Sequence, residues 1–216
     1  MAIDSRGPAS SEHGLERKEI KEKEILGRLR LYHQTSKEKW EAMQKEGAIL
    51  SEKELLKKGL ISPEQLEDFE STSTGEIDRL EGRDEYVFAS HNPQGYGEVT
   101  LEIDPSALEI NGAKVSTAGD WALFAGNPDD EKYFRESEIP ASEFVDYLRN
   151  YLCNLPSPEW FWEGDDPEIG KMIGEGMMEK IQGNPEKIRK FWSLHPEILF
   201  PKELPLTYVK NVEIHE

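Results

Sequence analysis

The chain has 216 residues, of which 26 are lysine or arginine and 44 are aspartate or glutamate, so its formal net charge at pH 7 is −18. A field of that sign opposes non-specific attraction to phosphate backbones and anionic membranes, and it favours a basic protein as partner over a nucleic acid. The single cysteine, Cys153, excludes an intrachain disulfide and a cysteine cluster for zinc.

The first 28 residues are predicted to be a lead segment. Residues 1 to about 15 are polar and predicted to be disordered, and residues 16–28 are a Lys/Glu-rich stretch typical of a solvated helix. No apolar run approaches the roughly 20 residues that span a bilayer, and the start lacks the apolar core of a secretory signal. We therefore expect a cytoplasmic protein, or one delivered into the cytoplasm of a target cell, with no membrane partner.

Local signals predict short helices and strands along the rest of the chain. Ser36 is predicted to cap a helix that stops at Gly47, and Asn111-Gly112 predicts a hairpin over 108–115. Val99, Leu101 and Ile103 alternate in the manner of a strand with one buried face. Other predicted helices cover 51–58, 62–69, 140–152, 167–181 and 184–194, other strands cover 28–33, 85–90, 197–200 and 207–214, and loops cover 70–84 and 154–167. A strand-rich middle framed by helices predicts the α+β class.

The segment Leu31-Tyr32-His33-Gln34-Thr35-Ser36 places a histidine at the end of a short apolar strand, before hydroxyl residues and a helix. This opening resembles that of ADP-ribosyltransferases, and in particular the His-Tyr-Glu branch that includes poly-ADP-ribose polymerases and diphtheria toxin. The resemblance implies that His33 hydrogen-bonds the ribose next to the nicotinamide, with Thr35 or Ser36 near the adenosine. A lone histidine at a strand end is also an ordinary structural residue.

The segment Tyr86-Val87-Phe88-Ala89-Ser90, followed by Tyr96, resembles the second motif of the same family. There an aromatic strand and a following tyrosine enclose the nicotinamide, a flat cationic ring that binds well between aromatic faces. The resemblance implies Tyr96 and Tyr86 as stacking residues and Ser90 as a hydrogen-bond partner of the carboxamide. The family's usual first tyrosine corresponds to Val87, so either the strand register slips by one residue or only one aromatic wall is present.

The segment Glu197-Ile198-Leu199-Phe200-Pro201, a turn over 202–205 and a last strand resemble the end of ADP-ribosyltransferase domains. The resemblance implies that Glu197 is the catalytic carboxylate. Cleavage of an N-glycosidic bond passes through an oxocarbenium-like state, which a nearby carboxylate stabilises while it orients or deprotonates the acceptor.

A second carboxylate competes for that role. Glu136-Ser137-Glu138 has the Glu-x-Glu pattern of arginine-modifying relatives, and Ser71-Thr72-Ser73-Thr74 is similar to their Ser-Thr-Ser. The Ser/Thr run lacks a preceding apolar strand, and 137–142 is interpreted as a linker into the next helix. If Glu138 is catalytic, the chain beyond 153 is accessory; if Glu197 is, residues 116–195 are a long insertion.

Together, residues 29–216 are interpreted as an α+β ADP-ribosyltransferase-like domain with split, bent β-sheets, flanking helices and a helical insertion over 116–195. The implied activity is transfer of ADP-ribose from NAD, as substrate, to a macromolecular acceptor, as in a toxin or effector. No metal is expected, because the histidines lack ligand spacing. The alternative is an inactive binding module whose acidic surface docks a basic partner. RNA 2′-phosphate transfer, which shares the opening, lacks an obvious set of basic residues.

Overall fold

The computed structural model describes residues 20–62, 82–92, 97–117, 136–164 and 193–215. These ranges contain five α-helices and nine β-strands. The helices are α1 (Glu22–Arg28), α2 (Lys37–Glu46), α3 (Glu52–Lys57), α4 (Phe144–Asn154) and α5 (Glu159–Glu163). The strands are β1 (Leu31–Thr35), β2 (Ala48–Leu50), β3 (Tyr86–Ser90), β4 (Val99–Ile103), β5 (Lys114–Ser116), β6 (Glu138–Pro140), β7 (Glu197–Pro201), β8 (Glu203–Pro205) and β9 (Val209–Ile214).

Seven of these strands form one antiparallel sheet in the order β6-β5-β7-β3-β1-β4-β9. The other two strands, β2 and β8, pair with each other. An antiparallel sheet combined with separate helices confirms the predicted α+β class.

One face of the large sheet is apolar and packs into the core. Its side chains from five neighbouring strands are at most 4% exposed, and they are Leu31, Val87, Ala89, Val99, Leu101, Ile103, Val115, Ile198 and Phe200. Helix residues of α2 and α4, among them Met43 and Phe144, belong to the same apolar cluster. The predicted alternation of β4 is confirmed, because Val99, Leu101 and Ile103 are all fully buried. We call this side of the sheet the core face.

The predicted helix ends are confirmed where a capping side chain or a left-handed glycine marks them. Ser36 Oγ accepts a hydrogen bond from the Lys39 amide at 3.2 Å, and Gly47 ends α2 with a φ of 74°. Ser51 caps α3 in the same way, accepting from the Glu54 amide at 3.4 Å.

The predicted hairpin over 108–115 is wrong. Residues Pro105–Glu109 instead form a 3₁₀ turn, which the Asp104 carboxylate caps by accepting from the Ser106 amide at 2.8 Å. Proline at the first position of that turn favours this conformation. The chain straightens only at β5, which pairs with β6 and β7.

Two predicted connections contain regular structure. The segment interpreted as a linker holds β6, which is a sheet edge and pairs with β5. The predicted loop over 154–167 contains α5, where Phe161 is fully buried in the core and Trp160 and Trp162 pack against it partly buried. Cys153 is half-buried and forms no disulfide. None of the described helices has the length and apolar character needed to cross a membrane.

Several predictions lie outside the described residues. They concern the part of the lead that is predicted to be disordered, the predicted helices over 62–69, 167–181 and 184–194, and Tyr96.

Candidate active site

A row of polar side chains crosses five strands of the sheet at one level. Ser90 lies directly opposite Tyr32 on one side and Glu197 on the other. Ser116 lies opposite both Glu197 and Glu138. Directly opposed residues of antiparallel strands project to the same face, so these five residues share the face that lies opposite the core face. We call them the cross-strand row and their side of the sheet the site face.

The pairing of β1 with β3 ends beside this row, and we call this gap in the pairing the opening of the sheet. These two strands pair at a single position, Tyr32 opposite Ser90, whereas β1 pairs with β4 along all five of its residues. At His33, the next residue of β1, a hydrogen bond from the side chain replaces the main-chain pairing with β3 that would be expected there. Its Nδ1 lies 2.7 Å from the main-chain oxygen of Phe88. The imidazole therefore links β1 to β3 where the two strands stop pairing.

The hydrogen bond to Phe88 sets the proton position on His33. A carbonyl only accepts, so Nδ1 carries the hydrogen and Nε2 of the neutral ring is an acceptor. Burial lowers the pKa of His33 below its ordinary value of 6.5, against the opposing effect of the hydrogen bond to Phe88. Nε2 is buried and has no hydrogen-bond partner among the described residues. The ring therefore offers an unused acceptor.

The carboxylate of Glu197 is held by an arginine that sequence reasoning missed. Arg83 Nη2 donates to Glu197 Oε2 at 2.5 Å. The guanidinium also lies over the ring of Phe88, 5.0 Å from its centroid. Phe88 thus contacts His33 through its carbonyl and, through its ring, the arginine that holds Glu197.

The hydroxyl residues near the row are already engaged. Ser90 Oγ donates to the main-chain oxygen of Asn92 at 2.6 Å, so it can accept from an amide N–H of a ligand but has no second proton to donate. Ser36 serves as the cap of α2. Thr35 is buried, 7% exposed, at the end of β1. The Ser36 oxygen is therefore engaged as an acceptor, and Thr35 is shielded from solvent.

Tyr86 lies away from Glu197. It is four residues from Ser90 on β3, about 14 Å along the strand at the usual rise per residue. Its ring instead lies under the ammonium of Lys114, 4.8 Å from Nζ to the centroid. The same Nζ lies 2.9 Å from both carboxylate oxygens of Glu138. Tyr86 therefore belongs with the competing carboxylate Glu138.

The structure places three predicted site residues on adjacent strands and separates the others. His33, Ser90 and Glu197 lie on the adjacent strands β1, β3 and β7, and Glu138 lies two strands beyond Glu197, about 10 Å at ordinary strand spacing. By alternation His33 belongs to the core face, since it lies opposite Leu101. A ligand that contacts both His33 and Glu197 must therefore reach side chains on opposite faces of the sheet. Within the described ranges no group of His, Cys, Asp and Glu side chains could hold a metal ion.

The turn that follows Ser90 is anchored by a buried histidine. The His91 ring packs against Phe161 of α5 at 4.2 Å between centroids, and its Nε2 lies 3.3 Å from Asn92 Nδ2. Burial, and then the charge of His195, lower the pKa of His91 to about 3. The aromatic segment of α5 therefore supports the end of the sheet that carries Ser90 and Glu197.

Comparison with protein-family models, with curated proteins and with solved structures found no match to this chain.

Proposed function

We propose that this protein transfers ADP-ribose from NAD to a macromolecular acceptor and releases nicotinamide. The observation that supports the proposal most directly is the adjacency of β1, β3 and β7. Three segments far apart in sequence, each resembling one motif of ADP-ribosyltransferases, occupy neighbouring strands. Ser90 of the middle segment pairs with residues of both others.

The chemistry assigns one task to each side chain. When the glycosidic bond breaks, its electron pair leaves with nicotinamide and positive charge develops on the ribose. The Glu197 carboxylate stabilises that charge and takes the proton of the attacking acceptor group. His33 Nε2 accepts from a ribose hydroxyl, because it is the unused acceptor of a neutral ring. Ser90 accepts from the carboxamide N–H.

Incubation of the purified chain with NAD, with and without a mixture of basic proteins, tests the proposal. We expect nicotinamide release, and we expect transfer of labelled ADP-ribose to a protein because the chain carries a charge of −18. Absence of nicotinamide release, both with and without the basic proteins, would refute it. A role as toxin or effector follows only if a host protein proves to be the acceptor.

Two observations favour the alternative, a binding module without transferase activity that docks a basic partner on its acidic surface. The carboxylate of Glu197 is already paired with a buried arginine, and buried Val87 stands where the family resemblance expects an aromatic ring. NAD binding without nicotinamide release, together with tight binding of a basic protein, would indicate a binding module.

A further inference from the structure

We propose that Arg83 is a positioning residue that holds the Glu197 carboxylate in one orientation at the start of β7. The inference rests on the proposed function, since the carboxylate so held is the one that faces the ribose. Arg83 itself touches neither NAD nor the acceptor in this proposal. It acts through Glu197.

The guanidinium is fixed by its surroundings. Arg83 is 1% exposed, and its charge lies over the Phe88 ring. A planar guanidinium presents its N–H groups in a rigid fork, so it fixes the carboxylate in direction as well as in distance. A lysine is a flexible point charge and lacks this property.

The main chain that carries Arg83 is also tied down. Arg83 begins the short 3₁₀ turn Arg83–Glu85 before β3. The carbonyl of Glu85 accepts from the Lys202 amide at 2.7 Å, and the Lys202 carbonyl accepts from the Ser51 amide at 2.8 Å. Lys202 connects β7 to β8. The turn that carries Arg83 is therefore hydrogen-bonded to Lys202, the residue that follows β7. Arg83 itself holds Glu197, the first residue of the same strand.

The contact leaves part of the carboxylate available. Among the described residues Arg83 is the only hydrogen-bond donor to Glu197, and it binds Oε2. The Glu197 side chain is 20% exposed. The second oxygen, Oε1, is thus free of hydrogen bonds within the described ranges, and it is the atom left to face the ribose.

The competing carboxylate is held differently and supplies a matched control. Lys114 binds both oxygens of Glu138, and each side chain of that pair is about a quarter exposed, at 26% and 25%. Removing Lys114 breaks the ion pair of Glu138, which is the other carboxylate of the cross-strand row, and leaves the contacts of Glu197 unchanged. Arg83→Met and Lys114→Met are therefore comparable changes with different expected effects.

The test measures kcat and KM for nicotinamide release in the full chain. For Arg83→Met we expect kcat to fall about 100-fold, the scale of a misplaced catalytic group, with KM for NAD unchanged. Arg83→Lys should recover part of the loss, and added guanidinium at non-denaturing concentration should restore rate in Arg83→Ala. Lys114→Met should match the parent. A merely structural role would not produce rescue of kcat by guanidinium.

Other outcomes are decisive. A folded Arg83→Met chain with parental kcat overturns the inference while the transferase proposal stands. If Arg83→Met fails to fold, Arg83→Lys decides, because parental kcat there would show that the fixed guanidinium geometry is not needed. If the parent releases no nicotinamide, the proposed function fails and the positioning role fails with it.

Discussion

The imidazole of His33 donates from Nδ1 to the main-chain oxygen of Phe88 across 2.7 Å, where β1 and β3 stop pairing. This one hydrogen bond has two consequences. It satisfies a backbone carbonyl at the opening of the sheet, and it turns Nε2 into a buried acceptor. A structural role and a ligand-binding role therefore reside on different nitrogens of the same ring.

Two substitutions separate these roles. His33→Asn keeps a donor near the position of Nδ1 and removes the Nε2 acceptor, whereas His33→Gln keeps a polar atom near Nε2 and gives up the Nδ1 position. We expect His33→Asn to retain most of the free energy of unfolding but to bind NAD more weakly. We expect His33→Gln to lose about 1–3 kcal/mol, the cost of an unsatisfied buried group. Urea denaturation and NAD calorimetry measure the two effects, and parental NAD affinity in His33→Asn would contradict the assignment.

The two candidate carboxylates give a second prediction. Glu197→Gln removes the negative charge beside the opening of the sheet, so we expect nicotinamide release to fall about 10²–10³-fold, as when one electrostatic group of a transition-state site is removed. Glu138→Gln should retain the parental rate, because Glu138 is paired with Lys114 and lies two strands away from Glu197. Steady-state release by both variants checks this.

Loss of release in Glu138→Gln alone would contradict the assignment and move the site to the edge of the sheet. Because Glu197 is the partner of buried Arg83, the melting temperature of Glu197→Gln must be measured beside its rate. A variant that is inactive only because it is unfolded then becomes visible.

Local signals predicted much of the fold. Ser36 and Gly47 bound α2 through a capping side chain and a left-handed glycine, both of which depend only on neighbouring residues. The alternation of Val99, Leu101 and Ile103 is equally local and correctly gave the buried side of β4. Strand β6 was missed because three residues ending in Pro140 carry no alternation to detect, and they are held by pairing with β5.

The site was less predictable because it depends on strand order. Resemblance gave His33, Ser90 and Glu197, which the sheet brings onto adjacent strands. Arg83 was missed, since 114 residues separate it from Glu197 and its segment has the composition of a loop. The position of Tyr86 relative to the site was equally hidden, because only the pairing register shows that Glu197 lies opposite Ser90, whereas Tyr86 lies opposite Pro201.

A third prediction concerns the backbone beside β1. Gly97 has a φ of 97°, and a Cβ there would lie 2.9 Å from the Thr35 carbonyl oxygen. Gly112 also has a positive φ, 82°, but its Cβ would meet nothing closer than Pro201 Cγ at 3.5 Å. Gly112→Ala should therefore cost only the conformational strain, about 1–2 kcal/mol, and Gly97→Ala should cost more. Chemical denaturation compares them, and equal losses would mean that the close approach to Thr35 does not matter.

The pH dependence of stability gives a fourth prediction. The pKa of His91 is lowered to about 3 in the folded chain, against an ordinary 6.5. Between these values the unfolded chain binds the proton and the folded chain does not, so the free energy of unfolding decreases as pH falls below about 6.5. One such group contributes about 1.4 kcal/mol per pH unit. The lowered pKa of His33 acts in the same direction.

His91→Phe isolates that contribution, because it keeps a ring against Phe161 and removes the titrating nitrogen. We expect the loss of unfolding free energy between pH 7.5 and 4.5, measured by urea denaturation, to be about 2.7 kcal/mol smaller in His91→Phe than in the parent. Carboxylates, including Asp104 with its pKa lowered to about 2, titrate in both proteins and cancel in the difference. Parallel pH profiles would show that His91 takes up its proton without leaving the contact with Phe161, and the turn after Ser90 would then tolerate a charged ring.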